Sequence, residues 1–319
     1  MDKKQKVLII KTGYSEFLDK ESNSRKVSLG DVLRTTPLLH LYKNDDVTWI
    51  SDKEAFPLLE DNPYIDRLLP LDFTTAMNLL EEEDFDTIIN LEKNHDICKF
   101  VNRLYSWRKY GFRYDKKTES SQAYDRAFEV LAVSSDPNSK KENERNTSDL
   151  LFEMVGEKWD GEEYILGYKP KSTEIYDIGI NTLVGQKWPT KAWPIENWDI
   201  LEGKLIKDGF KVTRQDKQNK EVLKNIHKYI DWINSCRTII TNDSLGLHLG
   251  ISLKKKVLGL FGPTPNKEVQ FYGRGREILP NPSPKCMPCF KGECERGRNC
   301  MEDIAVEKVY DEIKNYLLK

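Results

Sequence analysis

The chain has 319 residues, too many for one compact core and about right for two domains of ordinary size. Its 50 basic and 52 acidic residues nearly cancel to a net charge of −2, which argues against a dedicated nucleic-acid binder, and no apolar run approaches a membrane span. The first apolar run, "VLII", is far short of a signal-peptide core, so the expectation is a cytoplasmic protein whose six cysteines are reduced.

In the first half, "KVLIIK" (6 to 11), "VTWIS" (47 to 51), "IDRLLPL" (65 to 71) and "DTIINL" (86 to 91) read as strands. Helix-length segments such as "GDVLRTTPLLHLYK" and "FTTAMNLLEEEDF" separate them. That alternation predicts a parallel sheet with right-handed crossovers. Further helices are expected near 121 to 132 and 147 to 157, with the polar stretch 134 to 148 as a loop. "GYKPKSTEIYD" (167 to 177) reads as a linker.

A second alternating series follows. "DIGIN", "FKVTRQ", "RTIITN" and "KVLGLFG" read as strands, with "ENWDILEGKLIKDG" and "NKEVLKNIHKYI" as helices between them, the first ended by Gly209. "VEKVYDEIKNYLLK" is a closing amphipathic helix. The expected fold is therefore α/β: two Rossmann-like, doubly wound domains, 1–166 and 167–319, facing a central cleft and binding ligand beyond the carboxyl ends of their strands.

Three such strand ends in the second domain carry polar groups. "TNDSLGLHLG" puts Asn242, Asp243 and Ser244 where a strand gives way to a helix beginning near Gly246, with His248 on its first turn. A helix start offers unpaired N–H groups and partial positive charge, which suits a diphosphate. Asp243 or Ser244 serves equally well as a plain N-cap, and His248 as a packing residue. "NTLVGQKWPTKAWP" adds Lys187 and Lys191, and "GPTP" adds Thr264. Two lysines and a Gly-Pro-Thr corner round a helix start describe a phosphate-bearing ligand better than any one element does.

In the first domain the counterpart is "SLGDVLRTTP", residues 28 to 37, with Gly30 and Asp31. Asp31 fits an ordinary N-cap, and it fits equally a carboxylate that takes a proton from an attacking sugar hydroxyl. The insert 14 to 27 fits a flap or a passive surface loop.

"SLGDVLRTTP", "WPTKAWP" and "TNDSLGLHLGISLKKKVLGLFGPTP" together resemble glycosyltransferase family 9, the ADP-heptose:lipopolysaccharide heptosyltransferases, and the resemblance runs from about residue 6 to the C-terminus. It implies a GT-B fold and an inverting transfer of heptose from ADP-heptose that requires no cofactor. It implies Asp31 as general base and Lys191 as the group that assists the departing diphosphate. It implies Asp243, Ser244 and His248 as phosphate contacts, with Thr182 a further phosphate candidate and Asp216, in "TRQDKQNKE", a candidate for the ribose. The sequence departs from the family's Asp-Ser/Thr-Gly segment: Leu245 takes the glycine position and Gly246 comes one later, which displaces the expected backbone contact. The implied acceptor is a lipopolysaccharide inner core or related glycan, with peripheral contact at the inner membrane through it. A nucleotide-sugar epimerase or hydrolase, and a noncatalytic sugar-nucleotide or metal-binding module, are the competing readings.

"CMPCFKGECERGRNC" brings Cys286, Cys289, Cys294 and Cys300 together, a set that fits tetrahedral ligation of a structural Zn or Fe or a loop of free thiols. The resemblance favours the metal, because autotransporter heptosyltransferases of the family carry a comparable iron-binding finger. Cys98 and Cys236 lie in apolar contexts and read as core. "WRKYGFR" (107 to 113) reads as a solvated face with buried aromatics, and Trp188, Trp193 and Trp198 as packing residues.

Overall fold

The computed structural model describes residues 3–14, 27–71, 75–185, 188–218 and 225–317. The chain divides into two compact units, Met1–Tyr168 and Lys169–Lys319.

The N-terminal unit holds a six-stranded sheet made of β1 (Lys6–Ile10), β2 (Asp46–Ser51), β3 (Arg67–Pro70), β4 (Phe85–Asn90), β5 (Ser106–Asp115) and β6 (Ser120–Ala123). Its order is β3-β2-β1-β4-β5-β6, parallel throughout except for the β5–β6 pair. Leu8, Ile10, Ile50 and Ile88 present one sheet face to the helix His95–Arg103, which places Ile97, Phe100 and Val101 against it. Spacings of three and four residues put those side chains on one helical stripe, and the Asn94 side chain accepts from the N–H groups of Asp96 and Ile97 to cap its start.

The C-terminal unit holds a five-stranded parallel sheet: β7 (Tyr176–Asn181), β8 (Val212–Arg214), β9 (Cys236–Asn242), β10 (Lys256–Leu260) and β11 (Gly275–Ile278), in the order β11-β10-β9-β7-β8. Ile178, Ile180, Ile240 and Leu258 pack on Trp198, Leu201 and Leu205 of the helix Ile195–Lys207 and on Val309 and Ile313 of the C-terminal helix Val306–Leu317. Each such fully buried side chain stabilises the unit by about 1.5–3 kcal/mol. In both sheets the strand order reverses beside the first strand, between β1 and β4 and between β7 and β9. Sheets of this kind bind ligands at that point.

Several local expectations are corrected. Residues 30–43 are not one helix: Leu29–Leu33 is followed by a 3-10 segment, Thr36–Tyr42, with Pro37 at the break because proline cannot donate to the preceding turn. Strand β6 stands where the start of a helix was expected, and the helix there begins only at Phe128; the solvated face expected at 107–113 lies on β5, but Trp107 is 77 % exposed rather than buried. Residues 106–110 of β5 border β4 on one side only, so polar side chains along them are tolerated. The expected loop at 134–148 contains the helix Pro137–Glu142, capped by the Asp136 side chain and begun by proline. The helix after β8 runs Ile226–Asn234; residues 219–224 of its expected start lie outside the described residues. Cys98 and Cys236 are fully buried, as expected, and burial pushes their thiols up to about 11 and about 12.

Candidate active site

At the reversal point of the C-terminal sheet, β7 and β9 end side by side, with Asn181 opposite Thr241. Asn181 Nδ2 donates to Thr241 Oγ1 (2.8 Å) and to Ser244 Oγ (3.0 Å), while the Tyr229 hydroxyl donates to Asn181 Oδ1 (2.7 Å). This buried cross-link explains Gly246: a Cβ there would stand 2.4 Å from Asn181 Nδ2 and 2.7 Å from the Tyr229 oxygen. The glycine lets the helix Leu245–Ser252 lie against the cross-link, so protein packing accounts for it where a backbone contact to ligand was expected. Asn242 is likewise a brace. It is fully buried, its Oδ1 accepts from the Trp193 N–H (3.1 Å) and its Nδ2 donates to the Thr182 carbonyl (3.0 Å).

Asp243 is the hub of the site. Its Oδ2 accepts from the Lys191 ammonium and from the Thr264 hydroxyl, both at 2.7 Å, drawing together the loops that follow β7 and β10. Burial opposes ionisation of this carboxyl, but the charges of Lys191 and then His248, with the two hydrogen bonds, outweigh it and lower the pKa to about 2. A carboxylate engaged in this way orients Lys191. The pair is not sealed: the Lys191 and Asp243 side chains keep 15 % and 13 % of their surface open. Ser244 occupies the N-cap position of the helix Leu245–Ser252 but makes no capping bond, its hydroxyl being turned toward Asn181 and Thr241. His248 is buried on the first turn. The structure thus brings Lys191, Asp243, Thr264, Ser244 and His248 into one cluster at an uncapped helix start, an arrangement suited to an anionic group. Lys187 lies outside the described residues.

Asp216 is engaged elsewhere: Arg214 Nε and Nη2 donate to its two carboxylate oxygens, both at 2.8 Å, and the buried guanidinium also meets Asp199 and Glu202. A ribose contact at Asp216 would have to share that fork. Beside it stands Gln215, missed in the sequence: its Oε1 accepts from the Thr182 hydroxyl (3.4 Å) and its buried Nε2 has no partner among the described residues. Nothing in the spacing of "TRQDK" singles out that amide.

In the N-terminal unit, Lys11 at the end of β1 and Glu92 beyond β4 form an ion pair at 3.4 Å, each side chain 3 % exposed. Glu92 Oε1 also accepts from the N–H groups of Thr12 (2.7 Å) and Gly13 (3.1 Å). The sequence reading missed this pair, since its members lie 81 residues apart in chain positions 11 and 92. Asp31 sits in the short helix Leu29–Leu33, one residue beyond the buried Gly30. Ser28, not Asp31, holds the N-cap position, so the capping role considered for Asp31 is excluded. Its carboxylate is 26 % exposed and oriented by Arg34 Nε at 3.2 Å. Of the insert, Tyr14 and Val27 pair as an antiparallel bridge, and 15–26 lie outside the described residues.

All four cysteines of 286–300 carry free thiols: Cys286 is exposed, Cys289 and Cys294 are half-buried and Cys300 is buried. Burial first, and then the nearby charges of Cys289, Cys294 and Cys286, raise the Cys300 thiol to about 11. Among the described residues no group of three or more His, Cys, Asp or Glu side chains is arranged to hold a metal ion. No helix among them is long and apolar enough to cross a membrane.

Comparison with known proteins bears on these clusters. Residues 75–299 match the family model described as Glycosyltransferase family 9 (heptosyltransferase). A segment of 100 residues is 33 % identical to Lipooligosaccharide heptosyltransferase 2 of Campylobacter jejuni; it spans 31 % of this chain and only 30 % of that relative's length. Among solved structures, ADP-heptose lps heptosyltransferase II of E. coli superposes with a TM-score of 0.64 over 98 % of this chain and 99 % of its own, at 15 % identity. The iron-containing dodecameric glycosyltransferase TibC of enterotoxigenic E. coli gives 0.58 over 99 % of this chain and 76 % of its own, at 12 % identity. At such identities the likeness speaks for the fold, two Rossmann-like units in the GT-B manner.

Proposed function

Since the chain belongs to glycosyltransferase family 9, we propose that it is an inverting glycosyltransferase that moves heptose from ADP-heptose to a lipopolysaccharide inner-core or related glycan acceptor in the cytoplasm. The observation that carries this reading is the Lys191 ammonium held at 2.7 Å by Asp243 beside an uncapped helix start. That cluster offers an oriented ammonium and the N–H groups of a helix start to a diphosphate. Two relatives support the choice of donor and acceptor class: the E. coli ADP-heptose lps heptosyltransferase II and the lipooligosaccharide heptosyltransferase 2 of Campylobacter jejuni.

In this reading the acceptor hydroxyl attacks the anomeric carbon as the bond from that carbon to the diphosphate oxygen breaks. The hydroxyl proton passes to the Asp31 carboxylate. The electron pair leaves with ADP, whose growing charge is met by Lys191, with Thr264, Ser244 and His248 around it. Inversion requires the base to stand on the side of the anomeric carbon opposite the departing diphosphate. Because Asp243 consumes only part of the Lys191 donor capacity, the ammonium has N–H groups left for a phosphate oxygen.

The cysteine segment adds a structural element to the proposal. Cys286, Cys289, Cys294 and Cys300 lie within one short segment and would supply the four thiolates of a structural Zn or Fe centre on rearrangement, a reading supported by the likeness to TibC, an iron-containing glycosyltransferase. Such a centre has no open position and would tie the loop together without entering the reaction. Metal analysis of the purified protein tests it.

The transferase reading is tested by incubating the protein with a panel of nucleotide sugars, with and without a heptose-terminated core acceptor. Release of ADP from ADP-heptose only when acceptor is present supports it; equal release without acceptor, or none from any donor, refutes it.

A further inference from the structure

The order at Asp243 depends on two loops, and residues 289–301 hold both. Lys191 ends the 3-10 turn Pro189–Lys191, whose middle residue, Thr190, is buried. The Thr190 hydroxyl donates to the Lys291 carbonyl (2.6 Å), and the Asn299 amide donates to the Thr190 carbonyl (2.9 Å). Asn299 is itself fixed, its Oδ1 accepting from the Met301 N–H and its backbone N–H donating to Glu302. On the other loop, the Pro263 carbonyl accepts from the N–H groups of Cys289 (3.1 Å) and Phe290 (2.9 Å). Gly262 presses directly on the same segment, where a Cβ would stand 2.7 Å from Cys300 Sγ and 2.6 Å from Met301 Sδ. The residues so held, Thr190 and Pro263, are the chain neighbours of Lys191 and Thr264, the two groups that donate to Asp243.

We propose that Thr190 and Asn299 are positioning residues, through which the cysteine segment acts as a strut that sets where the Lys191 ammonium stands. A lysine on a flexible four-carbon stem is placed partly by its ion pair and partly by where its backbone begins, and the strut governs the second. The consequence for turnover rests on the transferase reading; the consequence for the Lys191–Asp243 pair does not.

The test uses the full chain carrying Thr190→Val, Thr190→Ser and Asn299→Asp, each also combined with Lys191→Ala. Thr190→Val removes the hydroxyl at nearly constant shape, Thr190→Ser restores it, and Asn299→Asp keeps the acceptor for Met301 while losing the donor to Thr190. The first readout is the carboxyl titration of Asp243 by carbon-13 NMR. Its midpoint is expected to rise in Thr190→Val and Asn299→Asp and to stay at the wild-type value in Thr190→Ser. The second is acceptor-dependent ADP release, expected to fall about 3- to 10-fold in kcat for Thr190→Val, the size of one lost hydrogen bond. In the Lys191→Ala background the same change should bring no further loss, because a residue acting only through Lys191 has nothing left to position. Should Thr190→Val fail to fold, Asn299→Asp carries both measurements. An Asp243 midpoint equal to wild type in the folded variants overturns the strut, as does a full-sized additional loss in the Lys191→Ala background. A shifted midpoint in a protein that turns over no ADP-heptose leaves the strut standing and removes the transferase reading.

Discussion

Both units place a lysine–carboxylate pair at the reversal point of their sheet, and the two pairs differ in one respect. Lys11 and Glu92 are sealed, each 3 % exposed, whereas Lys191 and Asp243 keep 15 % and 13 % of their side-chain surface open. The sealed pair has its remaining capacity taken up by backbone, since Glu92 also receives the N–H groups of Thr12 and Gly13. It therefore fastens the loop after β1 to the end of β4, close in sequence to the helix that carries Asp31. The open pair fastens two loops as well, through Lys191 and Thr264, but leaves its cation within reach of an incoming anion. The same chemical couple is a sealed staple in one unit and a solvent-reachable pair in the other, and that access is what the proposed phosphate contact at Lys191 requires.

The sharpest way to break this comparison is Asp31→Asn. If the N-terminal unit contributes chemistry only through that carboxylate, turnover should fall about 10²- to 10⁴-fold, the usual worth of a general base, with ADP affinity unchanged by calorimetry. Unchanged turnover would take Asp31 out of the base role. Lys191→Ala should follow with a loss of about 10²- to 10³-fold in kcat, and here ADP binding should weaken too, because the removed charge meets the diphosphate both bound and departing. A lysine that merely stapled loops would leave ADP affinity alone. The converse experiment is Glu92→Ala. It removes the buried carboxylate shared by Lys11 and the Thr12 and Gly13 N–H groups and should cost about 1–3 kcal/mol of stability in urea titration, with no change in ADP affinity. A loss of nucleotide binding on that substitution would mean that the two pairs are not the separate devices described.

Much of this was legible in the sequence. Apolar runs such as "KVLIIK" and "RTIITN" are buried on both faces of a parallel sheet, and a continuous run is what that environment selects. The cluster of Lys191, Asp243, Ser244, His248 and Thr264 was legible because residues at the ends of neighbouring parallel strands must converge. Strand β5 was not, because "SWRKYGFRYD" lies partly at a sheet border where burial does not dictate alternation. The individual duties of side chains within the cluster were also hidden. Asn242 and Gly246 looked like ligand contacts and are accounted for by partners from Thr182, Trp193, Asn181 and Tyr229, distances along the chain that no local pattern encodes. Asp216 looked available and is forked by Arg214, two residues away. The Lys11–Glu92 pair carried no signal at all, since a lone lysine after one strand and a lone glutamate after another are ordinary surface residues until the sheet buries them.

The smallest expected effect refines the open pair itself. Asp243 titrates near 2 in the folded chain against an ordinary 3.8, so the folded state holds its proton less tightly than the unfolded chain does. Its contribution, about 2 kcal/mol, is fully present above roughly pH 4 and disappears as the pH falls through the folded value. Asp243→Asn removes that dependence. Urea titrations of both proteins between pH 2 and pH 6, followed by the fluorescence of the core residues Trp193 and Trp198, should show a stability gap that is flat above about pH 4 and narrows below it. A gap that kept changing toward neutral pH would have to come from a group other than a carboxylate held by Lys191, and the description of this pair as a carboxylate kept ionised to hold a cation ready for phosphate would fail with it.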